Sequence, residues 1–243
     1  MELFEGNNCV LKQGASEVEI GFYQSAARLL TGVNTPKLFN VDGCDLCIEH
    51  IPNGITLKDL QSNPQTFKQL ANLHNFQYTP VFPVKVHKWE TAATEQALKI
   101  LALSSEANAT IESIQSISEC LFEPLCLISG DTNDGNWGTR LNGELVLFDW
   151  ERFGYGSPAI DLAPLVNGLG SVTDYDSMIG RYMQHRASLP EAELLRHVII
   201  AKCWIIIEVV NILINRDNPE AGKYLNWYRD NVPQWLGSVK SVL

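Results

Sequence analysis

Residues 125–151, LCLISGDTNDGNWGTRLNGELVLFDWE, constrain the fold more than any other stretch of the chain. The apolar run 125–128 reads as a short buried strand that empties into a polar loop, Ser129 to Asn136. Asn142-Gly143 beyond it is a hairpin signal, because a two-residue turn needs positive φ at both central positions. Counting outward from that turn, Leu141 faces Glu144, Arg140 faces Leu145, and Asn136 faces Asp149. Directly opposed residues of an antiparallel pair have Cβ atoms about 5 Å apart. An amide oxygen and a carboxylate therefore converge at the open end of the hairpin, with Asp131 one loop away. Such a donor set suits Mg²⁺, which binds through one or two carboxylates plus phosphate oxygens.

Two plainer readings compete for the loop. An EF-hand needs glycine at position six and glutamate at twelve. Counted from Asp131, Gly135 falls at five and Asn142 at twelve, so a calcium loop is excluded. A simple polar turn remains open for the loop alone, since Asp, Asn, Thr and Gly are ordinary turn formers. The Asn136–Asp149 register and the segment that follows argue against it.

The same stretch resembles the catalytic core of the aminoglycoside phosphotransferase/choline kinase family, small-molecule relatives of protein kinases. That family's loop reads His-Gly-Asp-x-x-x-x-Asn, followed by a strand ending in Asp-Trp-Glu. Here the loop is Ser129-Gly130-Asp131-Thr132-Asn133-Asp134-Gly135-Asn136, and the later motif is Asp149-Trp150-Glu151. Residues 154–163, GYGSPAIDLA, look like the family's continuation. The resemblance implies that Asp131 is the catalytic aspartate and that Asn136 and Asp149 are metal ligands bridging ATP phosphates. It also implies that Asp161 is a structural acid steadying the loop. The family's histidine is Ser129 here, a change to loop support and not to a reacting group.

Ahead of this core, residues 1–4 and 9–12 read as strands joined through 5–8, and Lys12 ends the second. Ser16-Glu17-Val18-Glu19 fits a capping box, opening a helix to about residue 30 with Ile20, Tyr23, Ala27 and Leu30 at helical spacing. By the resemblance, Lys12 holds the ATP phosphates and Glu19 is its helix partner. The bland alternative is a solvated lysine and a glutamate that only caps. Residues 35–39 and 46–49 read as strands across an Asp42-Gly43 turn. Glu49-His50-Ile51 then resembles the hinge whose backbone, at Glu49 and Ile51, hydrogen-bonds adenine; His50 itself receives no chemistry.

Helical patterns follow at 66–76, 90–103, 109–121, 159–166, 175–185, 191–214 and 219–235. The expected fold is α+β and two-lobed, like a protein kinase. A shortened β-rich N-terminal lobe spans 1–51, and a mainly helical C-terminal lobe spans 52–243. Eleven residues precede Lys12, and at roughly 3.3 Å per residue a strand and a turn consume them. A glycine-rich lid over the phosphates is therefore not expected, and Gly6 alone does not replace one.

The net charge of −10 argues against nucleic acid, whose phosphates require a basic stripe. It fits a cationic acceptor such as an amino alcohol or amino sugar, although acidity also serves solubility. Trp150 and Glu151, with Trp204, Glu208, Trp227 and Tyr228, are candidates for holding such a cation; the ordinary reading of most of these aromatics is core. No signal peptide opens the chain, and the apolar run 198–214 is interrupted by Lys202, Glu208 and Asn211. A buried helix in a cytoplasmic protein is expected there, not a membrane span. The six scattered cysteines suit reduced thiols. These readings converge on an ATP- and Mg²⁺-dependent phosphotransferase acting on a small-molecule hydroxyl. The alternative is a degenerate kinase-like protein that binds nucleotide, a metabolite or a protein partner without catalysis. Nothing in the sequence sets an oligomeric state.

Overall fold

The computed structural model describes residues 2–4, 7–185, 189–216 and 218–243. Strands β1 (Glu2–Phe4), β2 (Asn7–Lys12), β3 (Leu38–Asp42) and β4 (Asp45–Glu49) form one antiparallel sheet in the order β1-β2-β4-β3. Asp42 pairs with Asp45, so the turn is Gly43-Cys44, one residue later than the sequence reading. Asn7 and Asn8 belong to β2; Glu5 and Gly6, and with them the connection expected there, lie outside the described residues.

Between β2 and β3 lies helix α1 (Glu17–Gly21), opened by Ser16 Oγ, which accepts from Glu19 N–H at 3.2 Å. The helix does not run on as a regular α-helix to residue 30. Phe22–Ala26 is a π-turn in which Ala27 N–H donates to Phe22 O. A π-turn inserts an extra residue per turn and rotates the face that follows. Burial accordingly falls on Glu19, Phe22, Tyr23, Ala26 and Leu30, so Tyr23 and Leu30 of the predicted stripe are buried while Ile20 and Ala27 are only partly so.

The remaining chain is dominated by helices. Chief among them are α2 (Leu57–Ser62), α3 (Pro64–Asn75), α4 (Thr91–Leu101), α5 (Ser105–Ser116), α6 (Ala159–Leu162), α7 (Val172–Met183), α8 (Glu191–Asn215) and α9 (Ala221–Val239). Helix α8 is buried on nearly all sides, which is why it lacks a polar stripe. At 25 residues it is long enough to cross a membrane, so length alone does not argue against a span. Burial decides instead: 67% of its most apolar window lies inside the fold, against α4, α5, α6, α7 and α9. Each fully buried aliphatic side chain on it contributes about 1.5–3 kcal/mol. Lys202 is tolerated there because its ammonium donates to Val166 O and Gly168 O at 3.0 and 3.1 Å.

Two small sheets carry the central stretch. β6 (Cys126–Ile128) pairs with β9 (Gly154–Gly156), and β5 (Asn53–Gly54), β7 (Trp137–Thr139) and β8 (Leu145–Leu147) form the other. Thr139 pairs with Leu145 and Trp137 with Leu147, and Arg140 N–H donates to Glu144 O. The connection is therefore a three-residue loop, Leu141-Asn142-Gly143, closed by Gly143 at φ +83°. This corrects the two-residue turn by one register step: Asn136 lies opposite Phe148, whose N–H donates to Asn136 O at 3.0 Å.

Candidate active site

Strand β2 delivers Lys12 to the floor of a cleft beneath the four-stranded sheet. The cleft holds roughly 450 Å³, with Val10, Leu11, Ile48 and Phe148 as its apolar walls. Val10 and Leu11 are each 41% exposed, large apolar side chains left uncovered where the cleft opens. Lys12 Nζ lies 2.6 Å from Glu19 Oε2 and 2.6 Å from Asp149 Oδ1. Burial pulls the Lys12 ammonium down, but hydrogen bonds to Asp149 and Glu19 outweigh it and hold its pKa above the ordinary lysine value. Burial pushes Glu19 up despite Lys12. Glu19 is only 1% exposed and points at Lys12, so it does not bond back to the Ser16 amide as a capping box would. Of the two readings of Lys12 and Glu19, the paired one is what the structure contains.

Asp149 reaches this cleft by its backbone. The register alone would not pair it with Asn136, but Asp149 sits at φ +64° just past β8. Aspartate and asparagine adopt that left-handed region more readily than other non-glycine residues. Asn136 and Asp149 both line the cleft. The Asn136 amide nitrogen donates to Asp131 O at 3.1 Å, which leaves its Oδ1 as the available donor atom. Among the described residues no group of three or more His, Cys, Asp or Glu gathers as a metal site. The amide oxygen and carboxylate are nevertheless hard oxygen donors of the kind Mg²⁺ takes alongside phosphate.

Asp131 points elsewhere. Its Oδ1 accepts from Asn133 Nδ2 at 2.6 Å, and the residue lines a second cavity together with Arg152, Trp204 and Glu208. The loop from Gly130 to Asn136 thus walls two cavities, one on each side of its own chain. Its rigidity comes from Asp161, which is fully buried and accepts from the Ser129 and Gly130 N–H groups at 2.8 Å each. His74 Nε2 donates to the same carboxylate at 3.1 Å, and its Nδ1 meets Tyr182 Oη at 2.8 Å. Gly130 has φ +80°, and a Cβ there would lie 2.4 Å from Arg152 O and 2.8 Å from the His87 ring. The His87 ring therefore packs on the loop, and its Nε2 donates to Arg152 O at 3.0 Å.

Glu49 and Ile51, expected at the hinge, border the first cleft with His50. The Glu49 N–H donates to Lys37 O and that of His50 to Asn8 O. The Glu49 carboxylate is clamped by Arg140, through Nε at 2.8 Å and Nη2 at 2.7 Å, and that bidentate pairing holds it below the usual carboxylate range. Arg140 also bonds Glu144 and Thr35 O, tying the hinge to the β7–β8 loop.

Trp150 and Glu151 are not brought to the second cavity. Trp150 is 0% exposed, stacked on Phe22 at 4.0 Å, and its indole N–H donates to Leu147 O: it is core. Glu151 is exposed and lines neither cavity. Trp227 and Tyr228 are likewise absent from both linings, whereas Trp204 and Glu208 line the second. Sequence reasoning missed Arg152 and His87. Arg152 directly follows Asp149-Trp150-Glu151, and only that adjacency could have singled it out.

The model of the phosphotransferase enzyme family matches residues 54–195. Comparison with curated proteins gives no match. Among solved structures, the chain is similar to the GDP and kanamycin complex of APH(2")-IIia, 14% identical with a TM-score of 0.65, covering 96% of this chain and 88% of that one. It is also similar to the gentamicin complex of APH(2")-IIa, 18% identical with a TM-score of 0.61, covering 94% and 86%. For the Plasmodium vivax ethanolamine kinase Pv091845 the identity is 14% and the TM-score 0.55, covering 84% and 68%. The fold is therefore protein-kinase-like, a small β-sheet lobe set against a helical one.

Proposed function

The chain belongs to the phosphotransferase enzyme family, and from that premise we propose that it transfers the γ-phosphoryl group of ATP to the hydroxyl of a small molecule, with Mg²⁺. The observation that carries this reading is Lys12, held by the buried Glu19 and in contact with Asp149 on the floor of an apolar-walled cleft. The base lies between Val10, Leu11, Ile48 and Phe148, against the backbone at Glu49 and Ile51. Lys12 keeps Glu19 and exchanges Asp149 for a phosphate oxygen. Asn136 and Asp149 would hold Mg²⁺, which would supply neutralisation of the phosphate charge. Asp131 orients the acceptor hydroxyl and takes its proton as the new oxygen–phosphorus bond forms and the bond from the γ-phosphorus to the departing ADP oxygen breaks. Phosphoryl transfer passes through a loose transition state, so positioning and charge neutralisation account for most of the rate. A cytoplasmic site of action fits a nucleotide-consuming enzyme.

Ser129 in the family's histidine position favours a second reading, a nucleotide-binding module without transfer. The two separate in one experiment: phosphate transfer from ATP to a panel of amino alcohols, amino sugars, nucleosides and neutral alcohols. The wild type is expected to phosphorylate at least one acceptor. Asp131→Ala should lose about 10²–10⁴-fold in kcat, the usual worth of a positioned base, while still binding ATP. Transfer undiminished in Asp131→Ala removes that residue from the chemistry, and transfer to no acceptor by the wild type supports the binding module.

A further inference from the structure

The second cavity holds roughly 280 Å³, at the lower end for a small-molecule site. Ile160, Pro164, Ile205, Val209 and Ile212 give it an aliphatic wall. Three charged side chains reach it: Asp131, Glu208 and Arg152. Arg152 Nη2 donates to both Glu208 oxygens, at 2.9 and 3.2 Å, and the guanidinium carbon lies 5.7 Å from the Trp204 ring centroid. Two features that would recognise a cation, a carboxylate and an indole face, are therefore already occupied by the protein's own cation. Asp131 is left as the one uncompensated carboxylate, and it is committed to the hydroxyl. An ammonium on an acceptor would be stripped of water against aliphatic carbon with no carboxylate free to pair it.

We infer that the acceptor is an uncharged, mainly apolar alcohol, and that the Arg152–Glu208 pair determines this specificity by neutralising the Glu208 carboxylate. The inference rests on reading the loop at Asp131 as a phosphoryl-transfer site. It departs from the expectation drawn from the chain's net charge of −10, because at this cavity the Glu208 carboxylate is already paired with Arg152. Arg152, Trp204 and Glu208 also line a further cavity beside Lys85 and His87, so the pair is a partition as well as a charge neutraliser.

The test is calorimetric titration of the full chain, saturated with Mg²⁺ and a non-hydrolysable ATP analogue, using 3-phenyl-1-propanol, choline and kanamycin. The neutral alcohol is expected to bind at least about tenfold more tightly than choline, and kanamycin not at all. Arg152→Met keeps length and bulk, so the partition stays filled, but it releases Glu208. Choline affinity should then rise about tenfold while the alcohol changes less than about threefold, and adding Glu208→Gln should reverse the gain. Circular dichroism and nucleotide-induced stabilisation establish that each variant is folded. Choline or kanamycin binding the wild type as tightly as the alcohol overturns the inference. So does binding of none of the three, or an Arg152→Met variant indifferent to choline. Binding is read without turnover: a protein that prefers the alcohol but transfers no phosphate fails the enzymatic reading alone, and one that phosphorylates choline fails this inference alone.

Discussion

His87 shows how a single side chain can make the loop's stability depend on pH. Burial first, and the charge of Arg152 second, lower its pKa from 6.5 to about 4. Between those values the unfolded chain takes up a proton that the folded chain refuses, so stability falls as pH drops from 6.5 toward 4. The loss between pH 7 and 4.5 should be roughly 2–3 kcal/mol. Urea titrations of the wild type and His87→Gln at both values read it as a difference between the two slopes with pH, and equal slopes would falsify it. His87 was invisible in the sequence because its partner is a backbone carbonyl 65 positions away. Asp131, Asn136, Asp149 and Asp161 were legible because one short segment carries them all. Trp150 was misplaced for the opposite reason: adjacency to Asp149 says nothing about which way an indole turns, and here it turns inward onto Phe22.

At the level of elements, the hairpin was legible as a hairpin but not in register. Leu145, Val146 and Leu147 are all buried, so the strand offers no alternation of apolar and polar residues from which to fix its phase. The loop decides instead, with Asn142 Oδ1 accepting from Glu144 N–H and Gly143 alone taking positive φ. The π-turn after α1 was equally hidden, since an i to i−5 bond has no signature in residue spacing. Arg140 is where this loop acts at a distance, because it grips the hinge glutamate with two hydrogen bonds. Arg140→Met is expected to destabilise the fold by about 2–4 kcal/mol, the cost of leaving a partly buried carboxylate without its partner. It should also weaken ATP binding more than it lowers kcat. Chemical denaturation and steady-state kinetics check the two halves, and a kcat effect larger than the KM effect would argue for a role nearer the chemistry.

Across the whole molecule, the sequence already divides into a strand-rich beginning and a helix-rich remainder, and the four-stranded sheet and the helices around α8 follow that division. What composition could not supply is where charge is placed: the acidic total does not reveal that Glu208 is paired with Arg152. Saturation with Mg²⁺ and ATP at about a hundred times Kd should stabilise the native state by about 2.7 kcal/mol and raise Tm by roughly 5–10 °C. A thermal scan showing no rise would remove the nucleotide from the cleft.

The 130–136 loop gives Gly135 and Asn136 to the cleft at Lys12 and Gly130, Asp131 and Asn133 to the neighbouring cavity, so nucleotide and acceptor rest on different residues and meet only at the phosphoryl group. Neither occupant needs to wait for the other, and neither is trapped by it. Initial-rate kinetics should accordingly follow random-order addition, with a nucleotide analogue competing only against ATP and an acceptor analogue only against the alcohol. A compulsory sequence would mean that the wall moves.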